Sequence, residues 1–213
     1  AINDVNIDVH YGSVLGVIGS NGAGKSSLMR VIAGIVPPTA GRVEVYGQVS
    51  TLLSLGVGFN SRLTGRENVI LGGLAAGLTR AEIEEKFSAI ADFADIGEAI
   101  DSPMKTYSAG MYSRLAFAVA VVVEPDVLIV DEALSTGDAK FKKKSLEKIK
   151  TLRGENRAII LVSHALATIK EICNDVIWLD KGKIVMRGNP DEVVAAYKES
   201  LQVAKSSSAD EDL

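Results

Sequence analysis

"GSNGAGKS", residues 19–26, is the most informative stretch of this chain. It matches the pattern G-x-x-x-x-G-K-[ST], in which the backbone N–H groups of a glycine-rich loop surround phosphate groups. The loop follows the apolar segment "SVLGVIG", residues 13–19, and precedes a predicted helix over 25–35. A plain glycine-rich turn would not need this strand-to-helix setting, so we interpret the stretch as a phosphate-binding loop. Lys25 is then expected to reach the β and γ phosphates of ATP, and the Ser26 hydroxyl to hold Mg²⁺.

Two carboxylates follow a second apolar segment. "VLIVDEAL", residues 127–134, runs from four apolar residues into Asp131 and Glu132. Because the carboxyl ends of parallel strands meet at one edge of a sheet, we expect these acids beside the phosphate-binding loop. There Asp131 would orient the Mg²⁺ shell, and Glu132 would act as general base on the water that attacks the γ-phosphate. A surface acid pair at a strand end is the alternative, and the upstream loop favours the functional interpretation.

One of the two histidines ends a third apolar segment. "IILVSHAL", residues 159–166, finishes its apolar run at Ser163 and His164. A surface histidine is the ordinary interpretation of such a position, but this strand ends at the same edge as Asp131. We therefore expect His164 to contact the γ-phosphate or the attacking water, and we interpret His10 as a plain surface residue.

The order of the remaining elements predicts an α/β fold. Apolar strands alternate with helices, which is typical of a mainly parallel sheet with helices on both faces. Residues 60–123 interrupt this alternation with helices that begin at two capping boxes, Thr64 with Glu67 and Thr79 with Glu82. We therefore predict a P-loop NTPase (RecA-like) core with a mainly parallel sheet, an antiparallel β portion and an inserted helical subdomain.

The whole chain is expected to form a single domain over residues 1–213. The predicted core covers about 1–59 and 124–204, the helical subdomain about 60–123, and a disordered acidic tail 205–213. Alternation and β-branched residues predict three further strands in the first part of the core, at 5–9, 41–47 and 48–53.

Composition limits the class of protein. The 213-residue chain has a formal net charge of −4, and broad nucleic-acid binding usually needs a basic surface, so no nucleic-acid partner is expected. The apolar run at residues 116–123 is far shorter than the roughly 18–20 residues that span a bilayer. The single cysteine, Cys173, cannot form an internal disulfide and fits a reducing compartment. The chain begins without Met, so we expect its natural N-terminus upstream.

A glycine near the start of a helix needs an explanation. In "TYSAGMYSRLAF", residues 106–117, Ser108 stands at the mouth of a predicted helix and Gly110 lies within its first turn. Glycine inside a helix costs about 1 kcal/mol relative to alanine. Its presence indicates that something approaches this backbone too closely for a side chain.

Together these residues resemble the nucleotide-binding subunit of an ATP-binding cassette (ABC) transporter over nearly the whole chain. By that resemblance "YSAGM" is the signature motif, and its Ser108, Ala109 and Gly110 face the γ-phosphate of ATP held by a second copy of the chain. Asp138 falls at the D-loop aspartate, which couples the two sites, and His164 at the switch histidine. The resemblance thus implies a head-to-tail homodimer with two ATP molecules at its interface. The nucleotide contacts that it implies in the loop are Gly19, Ser20, Asn21, Gly22, Ala23, Gly24, Lys25, Ser26 and Ser27.

The sequence departs from the family pattern in three places. The common signature reads LSGGQ, and Tyr107, Ala109 and Met111 replace three of its five residues. The Q-loop glutamine is expected at a position where Ser54 or Leu55 stands, which leaves open how the Mg²⁺ shell is completed. The aromatic residue that usually stacks on adenine is expected upstream of residue 1.

Three separate stretches resemble one subfamily more closely. "LGVGFNSRLTGRENV" (55–69), "KTYSAGMYSRLAFAVA" (105–120) and "DEALSTGDAKFKKKS" (131–145) are similar to ATPases that export lipid-linked cell-envelope polysaccharides, namely O-antigen, teichoic acid and galactan. The resemblance implies ATP hydrolysis that drives a separate transmembrane permease, present in two copies. The ATPase would then be a peripheral subunit at the cytoplasmic face of the cell membrane. If the acidic tail is the native end, we expect this subunit not to read a modified sugar terminus itself.

Three other functions stay open from the sequence. An ABC ATPase for another exported substrate, a lipid or a drug, would carry the same catalytic motifs. A soluble ABC ATPase that acts on ribosomes or DNA is less consistent with the acidic charge and the single cassette. A non-hydrolysing regulatory module is less consistent with the complete set of Lys25, Asp131, Glu132 and His164.

Two further segments have ordinary interpretations. The basic run at 140–150 is predicted to be a solvated helix face rather than a lipid or nucleic-acid contact. The small-residue segment at 68–78 either packs in the core of the helical subdomain or docks a coupling helix of the permease.

Overall fold

A six-stranded sheet forms the centre of the protein. The computed structural model describes residues 2–52, 59–131 and 138–209, with side chains described as far as Val203. The strands are β1 Val14–Ile18, β2 Val49–Thr51, β3 Val127–Asp131, β4 Ala158–Val162, β5 Asp175–Asp180 and β6 Lys183–Gly188. Their order across the sheet is β2-β3-β4-β1-β5-β6. Every neighbouring pair is parallel except β5 and β6, so the predicted mainly parallel sheet with an antiparallel portion is confirmed.

Helices cover both faces of this sheet. They are α1 Lys25–Ile32, α2 Gly65–Ala75, α3 Arg80–Ala94, α4 Ala109–Val122, α5 Ala139–Gly154, α6 Leu166–Ile172 and α7 Pro190–Ala209. Two short 3₁₀ helices, Gly97–Asp101 and Met104–Thr106, lie between α3 and α4. In the part of the chain that the structure describes, no helix is both long enough and apolar enough to cross a membrane.

The three central strands bury side chains on both faces. Along β1, Val14 and Ile18 belong to one apolar cluster, whereas Leu15 and Val17 belong to the other. β3 divides its side chains between the same two clusters, and all five residues of β4 are buried. A nearly continuous apolar sequence is typical of such strands. The prediction that these three segments are buried strands is therefore confirmed.

The parallel registers bring three strand ends to one edge. Val17 of β1 lies beside Val162 of β4, and Val162 lies beside Asp131 of β3. The segments that follow these strands therefore emerge next to each other at the carboxyl edge of the sheet. The central position of β1 places the glycine-rich loop among them.

Five predicted elements or boundaries differ from the structure. Residues 5–9 and 41–47 form no strand, although Val5, Ile7 and Val9 still pack half-buried against the core. An alternating sequence fits a half-buried surface whether or not its backbone pairs, which is why the pattern misleads here. α1 ends at Ile32 rather than Ile35, and β2 is limited to Val49–Thr51. Residues 205–209, assigned by their polar sequence to a disordered tail, continue α7.

Both predicted capping boxes are present. Thr64 and Glu67 bond reciprocally at the start of α2, and Thr79 and Glu82 do so at the start of α3. At α3 the Glu82 carboxylate accepts from the Thr79 amide at 2.7 Å, and the Thr79 hydroxyl accepts from the Glu82 amide at 3.3 Å. The hydrogen bonds from the Thr79 hydroxyl and amide lower the pKa of Glu82 below its ordinary value.

Thr79→Ala is expected to lower the free energy of unfolding by about 1 kcal/mol, because it removes a side-chain cap. Urea denaturation of the variant measures this loss. Thr151→Ala is the matched control, since the Thr151 hydroxyl only donates to the Glu147 carbonyl within an exposed helix turn. Folding lowers the pKa of Glu82, so its hydrogen bonds stabilise the folded protein fully above the pKa of the unfolded state. This stabilisation disappears as the pH falls through the pKa of the folded state. A deficit that does not shrink in acid would contradict the assignment to the capping box.

Candidate phosphate-binding site

The glycine-rich loop connects β1 to α1. Gly24, directly before α1, has a φ of +107°, a left-handed conformation that residues with a side chain rarely adopt. A Cβ on Gly19 would lie 2.2 Å from the Leu179 carbonyl oxygen, so the loop packs directly on the end of β5. None of the described side chains caps the first turn of α1. A helix N-terminus of this kind binds anions through its backbone N–H groups.

An open cleft lies beside this helix start. Its lining residues come from the loop, from the first turn of α1 and from the segment after β4: Asn21, Gly22, Gly24, Lys25, Ser26, Ser27 and His164. Among the described residues, none from α4 lines it. The loop and the predicted histidine are therefore brought together, whereas the signature segment is not.

Lys25 is buried although it carries a charge. Its side chain is folded back onto the loop, where Nζ donates to the Gly19 carbonyl at 2.8 Å and to the Ser20 carbonyl at 2.9 Å. Only 7% of the residue is exposed. These bonds hold the ammonium group within the loop that phosphates would enter, which fits the predicted role of Lys25.

The two predicted magnesium ligands lie close together. The Ser26 hydroxyl, on the first turn of α1, donates to a carboxylate oxygen of Asp131 at 3.5 Å. Oxygen donors of this kind suit Mg²⁺, which usually keeps water and substrate phosphates as its other ligands. The residues that the structure describes contain no group of three or more His, Cys, Asp or Glu side chains that could hold a metal. The oxygen chemistry of Ser26 and Asp131 fits the magnesium ion that the sequence predicts.

Of the other two predicted catalytic residues, His164 lies within the described part of the chain and Glu132 does not. His164 is exposed and lies on the wall of the cleft. It follows Ser163, whose buried hydroxyl accepts from the Ala165 amide at 3.1 Å and thereby shapes the turn after β4. Glu132 lies outside the described residues, as do Ser54 and Leu55 of the predicted Q-loop position.

Ser108 and Gly110 form the first turn of α4. The Ser108 hydroxyl caps the helix by accepting from the Met111 amide at 3.2 Å. A Cβ built on Gly110 would meet, among the described residues, only the Ser108 hydroxyl oxygen, at 3.8 Å. The described part of the chain therefore does not explain why this position lacks a side chain.

Asp138 is engaged within its own chain. It caps α5 by accepting from the Phe141 amide at 2.8 Å, and its other oxygen pairs with the guanidinium of Arg114 from α4. The Phe141 amide, followed by the Arg114 guanidinium, lowers the pKa of the Asp138 carboxyl below its ordinary value. The sequence motifs do not point to Arg114, and its position six residues after Ser108 is the one signal that could have drawn attention to it.

Tyr107, which departs from the common signature, also has a structural role. Its hydroxyl donates to the Ala99 carbonyl at 2.6 Å. A Cβ on Gly65, the first residue of α2, would lie 2.2 Å from that hydroxyl oxygen. Tyr107 thus ties the segment before α4 to the start of α2, and Gly65 makes room for it. Partial burial raises the pKa of the Tyr107 hydroxyl.

The fold and this cleft define a nucleotide-binding protein of the P-loop α/β class. The chain belongs to the ABC transporter family, whose model matches residues 2–135. It is 44% identical over 209 residues to the O-antigen export system ATP-binding protein RfbB of Myxococcus xanthus, covering 98% of this chain and 48% of that protein. It is 43% identical over 201 residues to the teichoic acids export ATP-binding protein TagH of Shouchella clausii, covering 94% of this chain and 56% of that protein.

The chain therefore spans about half the length of these two curated relatives. Among solved structures, an ATP binding subunit of an ABC transporter superposes with a TM-score of 0.83 at 25% identity, covering 92% of this chain and 87% of that one. The resemblance to the ABC family, and to its O-antigen and teichoic acid branch, is confirmed.

Lys25→Ala is expected to weaken binding of a fluorescent ATP analogue about ten- to a hundredfold, because one charge-assisted hydrogen bond to phosphate is lost. Equilibrium titration measures the change. Lys170→Ala, which removes a surface pair with Asp191, is the control and should bind as the wild type does. Unchanged affinity of the Lys25 variant would remove this residue from the phosphate site.

Proposed function

We propose that this chain is the ATP-hydrolysing subunit of an ABC exporter that moves a lipid-linked cell-envelope polysaccharide across the cytoplasmic membrane. One observation carries the ATPase part of the proposal, namely the cleft that Lys25, Ser26 and His164 line, with Asp131 hydrogen-bonded to Ser26 at the same edge of the sheet. The names of the O-antigen and teichoic acids export relatives support the cargo.

Within one copy, the loop and α1 would bind the nucleotide. Backbone N–H groups from Gly19 to Ser27 would surround the phosphates, and Lys25 would move from the loop carbonyls to the β and γ oxygens. Ser26 and Asp131 would hold Mg²⁺, which neutralises charge on the phosphates when bound. Phosphoryl transfer needs mostly this kind of positioning and charge stabilisation.

The attacking water would be handled by two residues at the carboxyl edge. Glu132, directly after β3, would accept a proton from the water as general base. His164, on the cleft wall, would contact the γ-phosphate or the same water. The loop and the two magnesium ligands are thus assigned to the nucleotide and Mg²⁺, Glu132 to the water, and His164 to the γ-phosphate or the water.

A second copy of the chain would complete each site. Ser108, Ala109 and Gly110 would meet the γ-phosphate held by the partner, with the N-terminus of α4 directed at the anion. The space beside the Gly110 backbone supports this arrangement, because a Cβ there would meet, among the described atoms, only the Ser108 hydroxyl oxygen at 3.8 Å. Asp138 would lie at the same interface. We therefore propose a head-to-tail homodimer with two ATP molecules between its copies.

The helical subdomain, at about 60–123, would transmit closure of this dimer to a separate permease. One side of α2 is packed, with Val69 and Gly73 buried, while Leu71 and Leu74 of the other side are exposed. The packed side supports the core-packing interpretation of the small-residue segment, and the exposed side would dock the permease. The complex would place this subunit at the cytoplasmic face of the membrane.

Gly110→Ala is expected to reduce ATP hydrolysis about a hundredfold or more, because a methyl group displaces a phosphate from its backbone donors. Its free energy of unfolding should stay equal or rise by up to about 1 kcal/mol, as for other helical Gly→Ala changes. Gly154→Ala is the matched control, because a Cβ there meets no described atom within 4 Å. A phosphate-release assay and urea denaturation test both variants. Wild-type hydrolysis by the Gly110 variant would contradict the proposed role of this turn.

The cargo is tested in the native cell. Depletion of the protein should leave one long-chain lipid-linked polysaccharide on the cytoplasmic side, and wild-type protein should restore export. Glu132→Gln should bind ATP but fail to restore export, because loss of a general base lowers hydrolysis about a hundredfold or more. If no polysaccharide is retained and the envelope stays intact, the cargo is a different one, such as a lipid or a drug. Only the ATPase assignment then stands.

A further inference from the structure

Three helices meet at one aromatic cluster between the helical subdomain and the core. α3, α4 and α5 each contribute one ring, namely Phe93, Phe117 and Phe141. The centroids of these rings are 5.8–5.9 Å apart in all three pairs. We call this group the three-helix joint.

Cations from α4 and α5 surround the end of α3 at this joint. Lys144 donates to the Asp92 and Phe93 carbonyls at 2.8 and 3.1 Å, and its ammonium lies 4.7 Å from the centre of the Phe93 ring. Lys140 pairs with the Asp95 carboxylate but is 86% exposed, so that pair contributes little. The predicted solvated face of α5 is thus wrong for Lys144, which neutralises the C-terminal end of a helix dipole.

Arg114 makes contacts at this joint to both neighbouring helices. From α4, it donates to the carbonyl of Asp95, the residue that ends α3, at 3.1 Å, and it pairs with Asp138, the residue that begins α5. Its guanidinium also lies 5.4 Å from the centre of the Phe141 ring. The Arg114 side chain is 20% exposed and that of Asp138 is 53% exposed, so solvent screens the Asp138 end of this pair more than the Arg114 end.

Arg114 lies on the same helix, α4, as the residues of the signature motif. Ser108 and Gly110 lie at the start of the same helix, within about 9 Å of Arg114 along its axis, given a rise of about 1.5 Å per residue. Asp138 is fixed to Arg114 directly. Arg114 therefore connects the helix that begins at Ser108 directly to the residue that begins α5.

We propose that Arg114 is a positioning residue for ATP hydrolysis, which holds the first turn of α4 and Asp138 at the spacing that lets both meet the partner copy at once. This inference rests on the proposed homodimer. A planar guanidinium can serve a carboxylate and a carbonyl in fixed directions, whereas the ammonium of a lysine cannot copy this geometry.

The experiment compares Arg114→Gln with Arg66→Gln. Arg66 has the same kind of partners, a carboxylate (Asp101, 2.7 Å) and a ring (Phe87, 4.3 Å), but lies on α2 away from the joint. For Arg114→Gln we expect kcat to fall about tenfold or more, since small misplacements of a distant group can cost up to about a hundredfold. KM for ATP should change less than about twofold, because the loop and α1 are intact. Arg66→Gln should keep both constants, and Arg114→Lys should not restore kcat.

Three further measurements separate positioning from folding. Urea denaturation shows whether each variant is folded under assay conditions. In a Glu132→Gln background, ATP-dependent dimerisation should be weakened by Arg114→Gln and kept by Arg66→Gln. Asp138→Asn combined with Arg114→Gln should reduce kcat no further than the more severe single variant, because the two residues act as one unit.

The outcomes distinguish this inference from the proposed function. Wild-type kcat in a folded Arg114→Gln protein, or equal losses in the two glutamine variants, would overturn the positioning role while leaving the ATPase in place. A rise in KM that accounts for the whole loss would also overturn it, because the defect would then lie in the loop of the same copy. A wild-type protein that hydrolyses no ATP would overturn both.

Discussion

β1, β3 and β4 are buried on both faces and pair in parallel, so their carboxyl ends reach the same edge of the sheet. That pairing brings the glycine-rich loop, Asp131 and His164 to one place, and the hydrogen bond from Ser26 to Asp131 adds to it. Polar groups placed where apolar strands end can remain solvated while the strands beneath them fix their positions. The chemistry is thus supported by an apolar framework that takes no part in it.

The proposed site has two parts, the phosphate-binding loop and the first turn of α4, and they differ in how many contacts they make within the chain. The loop, α1 and the end of β3 form a connected group, with hydrogen bonds from Lys25 and Ser26. At the first turn of α4 the Ser108 hydroxyl caps the helix, and among the described atoms a side chain on Gly110 would meet only that hydroxyl. A capped helix start with a glycine in its first turn is suited to contacting another molecule through its backbone.

The sequence predicts those features whose causes are local. The loop motif, the capping boxes at Thr64 and Thr79, and the buried strands each follow from residues close together in the chain, and the structure has all of them. The predicted strand at 41–47 fails because pairing depends on a partner that local alternation does not reveal. The joining of Arg114 to Asp95 and Asp138 depends on how three helices cross, which no motif encodes. The close fit of Tyr107 against Gly65 is tertiary in the same way.

The start of α1 differs from the starts of the four helices that follow it in sequence. α2, α3, α4 and α5 are capped by Thr64, Thr79, Ser108 and Asp138, whereas no described side chain caps α1. A helix start that relies on a bound anion for its missing hydrogen bonds is more stable when the anion is present. The stability of the whole fold is then linked to nucleotide concentration, since a ligand at a hundred times its Kd adds about 2.7 kcal/mol to the free energy of unfolding. In a cell that loses its nucleotide pool, this subunit would become easier to unfold and to degrade.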